Sequence, residues 1–501
     1  MPDAAAIGDG EQGRVGEAFM RLNADRYHRV FFAARAVIVA LSLLVGVVVW
    51  RWASRRYGRR GGLFALALWA LAPEALAHAG VATLDVATAL GFAASVYAFW
   101  MFARSGRWSW WGAAQLAVAA TCLTRFSAVL LAPMLVILAA LGAIAGRWRK
   151  PRRVWLGLAL LPVGALIALA IAYRGGVSFA PLAAWTFDSP SLRGLQRLAP
   201  WLRLPLPDLF IGGFDRQLVE SGRGVTPTYL LGTIDPEAPW TYFPIALAVK
   251  WPLAFIAALA WRIVRAMRAR PSRGRAVDDA FVLAPALIYL GVAMFFSRLG
   301  IGVRYVLPIL PFLCVWCGGA IPRTIATARA AVAKGRAAVA KGRRAARRTL
   351  AGAERIALAL VAVLAVETAT TAPWYLAFFN AAAGGPGNGD RIVNDSNVDW
   401  GQGLIALRDE MRRRGIARVH LAYLGTTDPA VYGVDYVPYL GGRPGPESEW
   451  LAVSSYYFVG LSQRMMTTRG RTEPLRMDFR PLWSTPPVAR PARCMYLFRV
   501  R

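Results

Sequence analysis

Acidic residues, lysine, histidine and cysteine are all scarce in this 501-residue chain. Asp and Glu total 28 against 59 Lys and Arg, histidine occurs 3 times and cysteine 4 times. Lysine is confined to Lys150, Lys250, Lys334 and Lys341. Cys122, Cys314, Cys317 and Cys494 give no disulfide framework. Cys314 and Cys317 share an apolar run, where small-residue helix packing is expected rather than metal or redox chemistry. There is no Ser/His/Asp triad, zinc-ligand spacing or Walker loop. Gly384–Gly389 (GGPGNG) lacks the strand–loop–helix setting and the lysine of a phosphate loop, so it reads as a turn. Residues 1–29 carry Asp3, Asp9, Glu11, Glu17 and Asp25 and lack the basic and apolar regions of a signal peptide.

Apolar residues are what the chain has in excess: 56% of the total, with a mean hydropathy of +0.41. Ten runs approach the ~20 residues that cross a bilayer. They are Val30–Trp50, Gly62–Ala77, Leu84–Ala103, Trp111–Leu123, Phe126–Ala145, Val154–Tyr173, Trp240–Trp261, Phe281–Phe296, Ile301–Ala320 and Ile356–Pro373. A net charge of +31 would suit nucleic acid in a soluble protein. Here the basic residues sit in short blocks between apolar runs, the pattern of cytoplasmic membrane loops, so membrane lipids rather than nucleic acid are the expected partners. With those blocks inside, the loop holding His78 and Asp85, residues 174–239 and the C-terminal segment all fall outside. Residues 1–29 fall outside as well, with no preceding helix to carry them there, so the expectation is a first transmembrane helix upstream of Met1, the alternative being an unusual N-out protein.

The expected fold is therefore mainly α, a polytopic membrane protein of about ten helices over residues 30–373 with a small extracytoplasmic α/β domain at 374–501. Residues 1–29 form an extracytoplasmic segment, 174–239 an external loop and 321–355 a basic cytoplasmic loop. That last loop repeats AAVAKGR at Ala330–Arg336 and Ala337–Arg343. A helix lying on anionic headgroups and a solvated linker are equal readings of it. In the C-terminal part Leu404–Arg414 reads as a helix, and Val419–Leu424, Leu451–Tyr457 and Met495–Val500 as strands.

Ionisable residues beside hydrocarbon are functional candidates by default. Glu74, His78 and Asp85 lie within Ala72–Ala89, between two apolar runs; the plainer alternative is that Thr83 or Asp85 only caps the next helix. Lys250 lies inside TYFPIALAVKWPLAF and needs a partner, a lipid phosphate being one, unless it snorkels to an interface. Arg125, Arg298 and Arg304 bring further cations to the side of Asp85. An acid beside phosphate-binding cations fits group transfer from a lipid-phosphate donor. Asn394–Leu404 (NDSNVDWGQGL) groups Asp395, Asn397 and Asp399, either as a site or as a helix cap and Asx-turn.

Several of these segments have a familiar form. VATLDVATA, LTRFSA, YFPIALAVKWPLA, GVRYVLPILPF and above all NDSNVDWGQGL with LAYLGTTDPAVYGVDY resemble bacterial GT-C-type membrane glycosyltransferases. The branch is the phospholipid carrier-dependent one, related to protein O-mannosyltransferases and the lipid A aminoarabinose transferase. The likeness runs from about residue 16 to the C terminus. It implies transfer of a sugar from a polyprenyl-phosphate donor, with inversion, to an extracytoplasmic glycan, lipid or protein at the bacterial inner membrane. Asp85 then matches the second acidic site residue, with Glu74 and His78 as lesser catalytic candidates. Lys250, Arg125 and Arg304 match basic positions that hold the carrier phosphate. Asp395, Asn397 and Asp399 receive no role from it, no organic cofactor is implied, and a divalent cation is left open. Two departures stand out. The family's first helix and its Asp-Glu motif fall upstream of Met1, since Asp9 and Glu11 are too near Val30 to be that motif, and Gly80 stands where the family often has Arg. A non-catalytic relative or a transporter that binds a lipid-linked glycan is the alternative.

Overall fold

All ten apolar runs are helical, and two of them are broken. The computed structural model describes residues 12–223, 227–269, 272–322, 336–425, 427–439, 441–461 and 477–500. Asp3, Asp9, Glu11 and most of the first AAVAKGR copy lie outside these residues. A short helix, α1 (Gln12–Leu22), leads into α2 (Tyr27–Tyr57), α3 (Arg59–Ala70), α4 (Pro73–Ala79), α5 (Asp85–Ser105), α6 (Trp108–Thr124), α7 (Leu131–Ile144) and α8 (Pro151–Ala172). After the 174–239 segment come α9 (Tyr242–Lys250), α10 (Leu253–Arg268), α11 (Arg273–Phe295), α12 (Leu310–Cys317) and α13 (Arg336–Ala369). Among the described residues 7 helices are long and apolar enough to span a membrane, or 9 if each of two bent pairs is one span. The 17-residue α6 accounts for the remaining run.

The breaks follow from proline. Pro73 opens α4 and bends it 59° from α3. Pro252 has no N–H to donate and holds Trp251 in an extended conformation, so α9 and α10 meet at 111°. The single span expected over Trp240–Trp261 is thus two helices, and the correction was signalled by that proline. The first N–H groups of α10 are not orphaned in hydrocarbon: those of Leu253 and Ala254 donate to the carboxylate of Glu367, near the end of α13, at 2.9 and 3.0 Å.

Two helical stretches form the centre of the bundle. The apolar parts of α5 and of Val303–Ala320 are each 78% buried, against 22% for Tyr27–Tyr57 and Thr349–Ala369 at the rim. Close approach at the centre depends on small residues: a Cβ on Gly91 of α5 would lie 2.3 Å from Thr121 Oγ1 of α6. Cys314 and Cys317 are buried free thiols in the same core.

The charges sort to the ends. At one end Arg104 and Arg147 pair with Asp278, and Arg56 and Arg262 with Asp279. Asp85 lies at the other end of α5, about 30 Å away at 1.5 Å per residue.

The C-terminal segment carries α14 (Leu404–Arg414), as expected, and a four-stranded sheet of order β2-β1-β3-β4. The strands are β1 (Val419–Ala422), β2 (Tyr436–Pro438), β3 (Trp450–Ser454) and β4 (Met495–Arg499). β1 runs parallel to β2 and β3, and β4 is antiparallel to β3. The strand expected over Leu451–Tyr457 stops early because the Ser454 hydroxyl caps a short helix, Ser455–Phe458. The β2 strand was not legible: it is three residues long and ends in proline. Val393, Leu404 and Val419 belong to the same buried cluster as Phe379 and Val303, so the sheet is packed onto the bundle.

Candidate functional site

Asp85 opens α5, and no side chain caps that helix at Leu84. Its Oδ1 instead accepts from Arg125 at 2.7 Å, and its Oδ2 from the Thr83 hydroxyl at 3.0 Å. The pair is more than a cap, because the extended backbone of Arg125 between α6 and the following turn aims the guanidinium back at α5. That guanidinium also lies 4.6 Å from the centre of the Tyr305 ring.

Arg304 reaches the same ring at 5.1 Å and the Trp400 ring at 4.3 Å. Among the described residues it makes no ion pair, and its Nε is buried without a hydrogen-bond partner. The structure thus gathers Asp85, Arg125 and Arg304 around Tyr305, with Trp400 of the C-terminal segment closing the group. Nothing in composition singled out Tyr305; it stands next to Arg304 in GVRYVLP. Arg298 is elsewhere, on the rim, held by both carboxylate oxygens of Glu237.

Lys250 is in a different situation. Its ammonium is wholly buried at the end of α9 and donates to the carbonyls of Leu376 and Asn397, both at 2.7 Å. Glu74 Oε1 stands 3.7 Å away and the Phe379 ring 4.5 Å. His78 faces Glu74 from the next turn of α4, at 3.6 Å. Glu74 therefore pairs with Lys250, and His78 faces Glu74, rather than either joining Asp85. Two of the three Lys250 donors are taken by backbone carbonyls, and Glu74 Oε1 is an ion-pair partner beyond hydrogen-bond distance.

Asn397 ties the two groups together. Its Oδ1 accepts from the N–H of Val303 at 3.0 Å, and its Nδ2 donates to Tyr242 Oη and the Asn394 carbonyl, both at 2.9 Å. Its own carbonyl takes Lys250. Both N–H donors and the side-chain oxygen of this buried amide are engaged, across α9, the Val303 turn and the C-terminal segment. Turn chemistry is present too: Asp399 accepts from the Gly401 N–H and the Ser454 hydroxyl. Burial pushes both Asp395 and Asp399 up to about 6, against those bonds for Asp399 and against bonds from the Ser396 N–H and hydroxyl for Asp395. Arg304 pulls Asp395 the other way. Among the described residues no three His, Cys, Asp or Glu side chains converge as a metal-ligand set.

Residues 15–173 match the pattern of the family described as dolichyl-phosphate-mannose-protein mannosyltransferase. No curated protein sequence matches the chain. Among solved structures, ArnT from Cupriavidus metallidurans bound to undecaprenyl phosphate aligns at 15% identity over 93% of this chain and 83% of that one, with a TM-score of 0.42. The same protein in the apo state aligns at 15% identity over 92% and 82%, with a TM-score of 0.43.

Proposed function

We propose that this chain, a GT-C-type relative of the membrane glycosyltransferases through residues 15–173, transfers a sugar from a polyprenyl-phosphate donor to an extracytoplasmic acceptor with inversion. The observation that carries the reading is the Asp85–Arg125–Tyr305–Arg304 group, which holds a buried guanidinium nitrogen without a partner at the membrane end opposite the Asp278–Asp279 cluster. The acceptor hydroxyl oxygen attacks the anomeric carbon, its proton passes to a base, and the bond from that carbon to the phosphate oxygen breaks. The donor phosphate goes from a singly charged diester towards a doubly charged monoester as it leaves. Cations fixed beside it therefore stabilise the transition state more than the bound donor. In this reading Arg125 and Arg304 supply those cations. Both oxygens of Asp85 are engaged, so its role is to position Arg125 rather than to take the proton.

The test uses the full chain in lipid nanodiscs, with undecaprenyl phosphate as titrant and a polyprenyl-phosphate sugar as donor. Arg304→Gln should weaken carrier binding by about tenfold or more, the loss of a charge-assisted contact of roughly 1.5–3 kcal/mol. Asp85→Asn should abolish transfer while the protein remains folded. Carrier binding that is unchanged in both variants would remove the site. Carrier binding without transfer by the wild type would favour the non-catalytic relative.

A further inference from the structure

A cavity of about 750 Å³ lies at the carboxyl edge of the C-terminal sheet. Its walls come from the ends of β1 (Leu421, Ala422, Tyr423) and β2 (Pro438, Tyr439), with Tyr457 following β3. This location has a physical basis. β1 lies between β2 and β3, so the chain leaves it towards one side and returns on the other, opening a crevice above the carboxyl ends of parallel strands. Met20 of α1 and Ala24 roof it, and the rings of Tyr27 and His28 hold that roof down by packing on Tyr432 at 6.4 and 5.2 Å.

The lining is chemically biased. Four tyrosines, Tyr423, Tyr436, Tyr439 and Tyr457, face one space together with Thr427 and Asp428. Aromatic faces carry negative charge density that attracts the polarised C–H groups of a sugar ring, while hydroxyls and a carboxylate bond to its O–H groups. Both hydrogen bonds of Asp428, from the Ala430 N–H at 3.0 Å and from Tyr436 Oη at 3.4 Å, fall on Oδ1; among the described residues its Oδ2 is an open acceptor. The cavity adjoins the Arg304 group. Tyr423 Oη donates to the Gly401 carbonyl at 3.5 Å, and Gly401 follows Trp400, which stacks on Arg304. A volume of this size suits a few sugar rings, within the ~300–1,000 Å³ range of ligand pockets.

We propose that this cavity binds a saccharide through the Tyr423–Tyr436–Tyr439–Tyr457 cluster and Asp428. That the saccharide is the acceptor rests on the glycosyl-transfer reading above; that the cavity holds one does not. The experiment titrates mannotetraose, cellotetraose and chitotetraose separately into the full chain in nanodiscs free of carrier lipid. At least one should bind, and Tyr436→Ala and Asp428→Asn should each weaken it by about tenfold. Asparagine keeps the cap bond to Ala430, so the second variant isolates the charge. Undecaprenyl phosphate titrated into Tyr436→Ala should bind as it does to wild type, so failure of the donor site and failure of this cavity remain separate results. Absence of binding by all three saccharides, equal binding by both variants and wild type, or joint loss of saccharide and carrier in Tyr436→Ala would each overturn the proposal.

Discussion

Lys250 and Arg304 are both cations near the same membrane end, yet they are held in opposite ways. Lys250 is fully buried, with two carbonyls, Glu74 and an aromatic face around it. Arg304 is half-buried between two rings, with no carboxylate partner among the described residues and one nitrogen unsatisfied. A cation closely paired with protein groups is part of the fold, whereas one without a carboxylate partner is available to an anion. The largest expected effect tests the first half. Lys250→Met leaves the Glu74 carboxylate buried without its cation and deprives two buried carbonyls of a donor. The expected loss is about 3–5 kcal/mol, as for breaking one side of a buried pair. It should appear as a large fall in melting temperature or as failure to elute as a single species, with partial recovery in Lys250→Met/Glu74→Gln. A Lys250→Met protein as stable as wild type would erase the contrast.

Asp399 sharpens the comparison from the opposite sign of charge, being a buried carboxylate with hydrogen bonds but no cation among the described residues. Its ordinary value is about 4, and burial in the fold raises it to about 6. Below pH ~4 both the folded and unfolded chains hold the proton and nothing is lost. Between ~4 and ~6 the unfolded chain releases it first, so stability falls as pH rises, and above ~6 the full penalty remains. The shift of about two units corresponds to about 3 kcal/mol. Denaturation midpoints followed from pH 4 to 7 should decline in wild type and decline less in Asp399→Asn. Parallel curves for the two proteins would show that Asp399 ionises freely.

How much of this was legible in the sequence depended on the distance between partners. Apolar runs and α14 are local patterns, and they appear where the sequence placed them, two of the runs bent at a proline. Asp85 and Arg125 were legible as members of one cluster because each interrupts an apolar run, and the two are paired in the structure. The closure around Lys250 was not, since its partners are the backbone carbonyls of Leu376 and Asn397, 126 and 147 residues away, and every residue type has a carbonyl. Tyr305 and Trp400 were unread for a related reason: an aromatic in an apolar run gives no sign that a guanidinium will stack on it. The 111° bend at Pro252 was different, because Trp251–Pro252 carried the signal and the length of the run concealed it.

The smallest expected effect decides the second half of the comparison. Arg304→Gln removes two ring contacts, each worth about 0.5–1 kcal/mol at sites of this exposure. It also removes a buried, unsatisfied Nε, whose desolvation costs about 1–3 kcal/mol. The two changes oppose each other, so stability should move by no more than about 1 kcal/mol, even though a charge has been deleted from a half-buried site. The contrast with Lys250→Met is then several kcal/mol for two cations tied to the same Asn397 network, one directly and one through Val303. Thermal melts of the two variants side by side check it. A fall for Arg304→Gln as large as that for Lys250→Met would make Arg304 a second structural clamp. A small fall leaves its guanidinium free to be neutralised by something that is not protein.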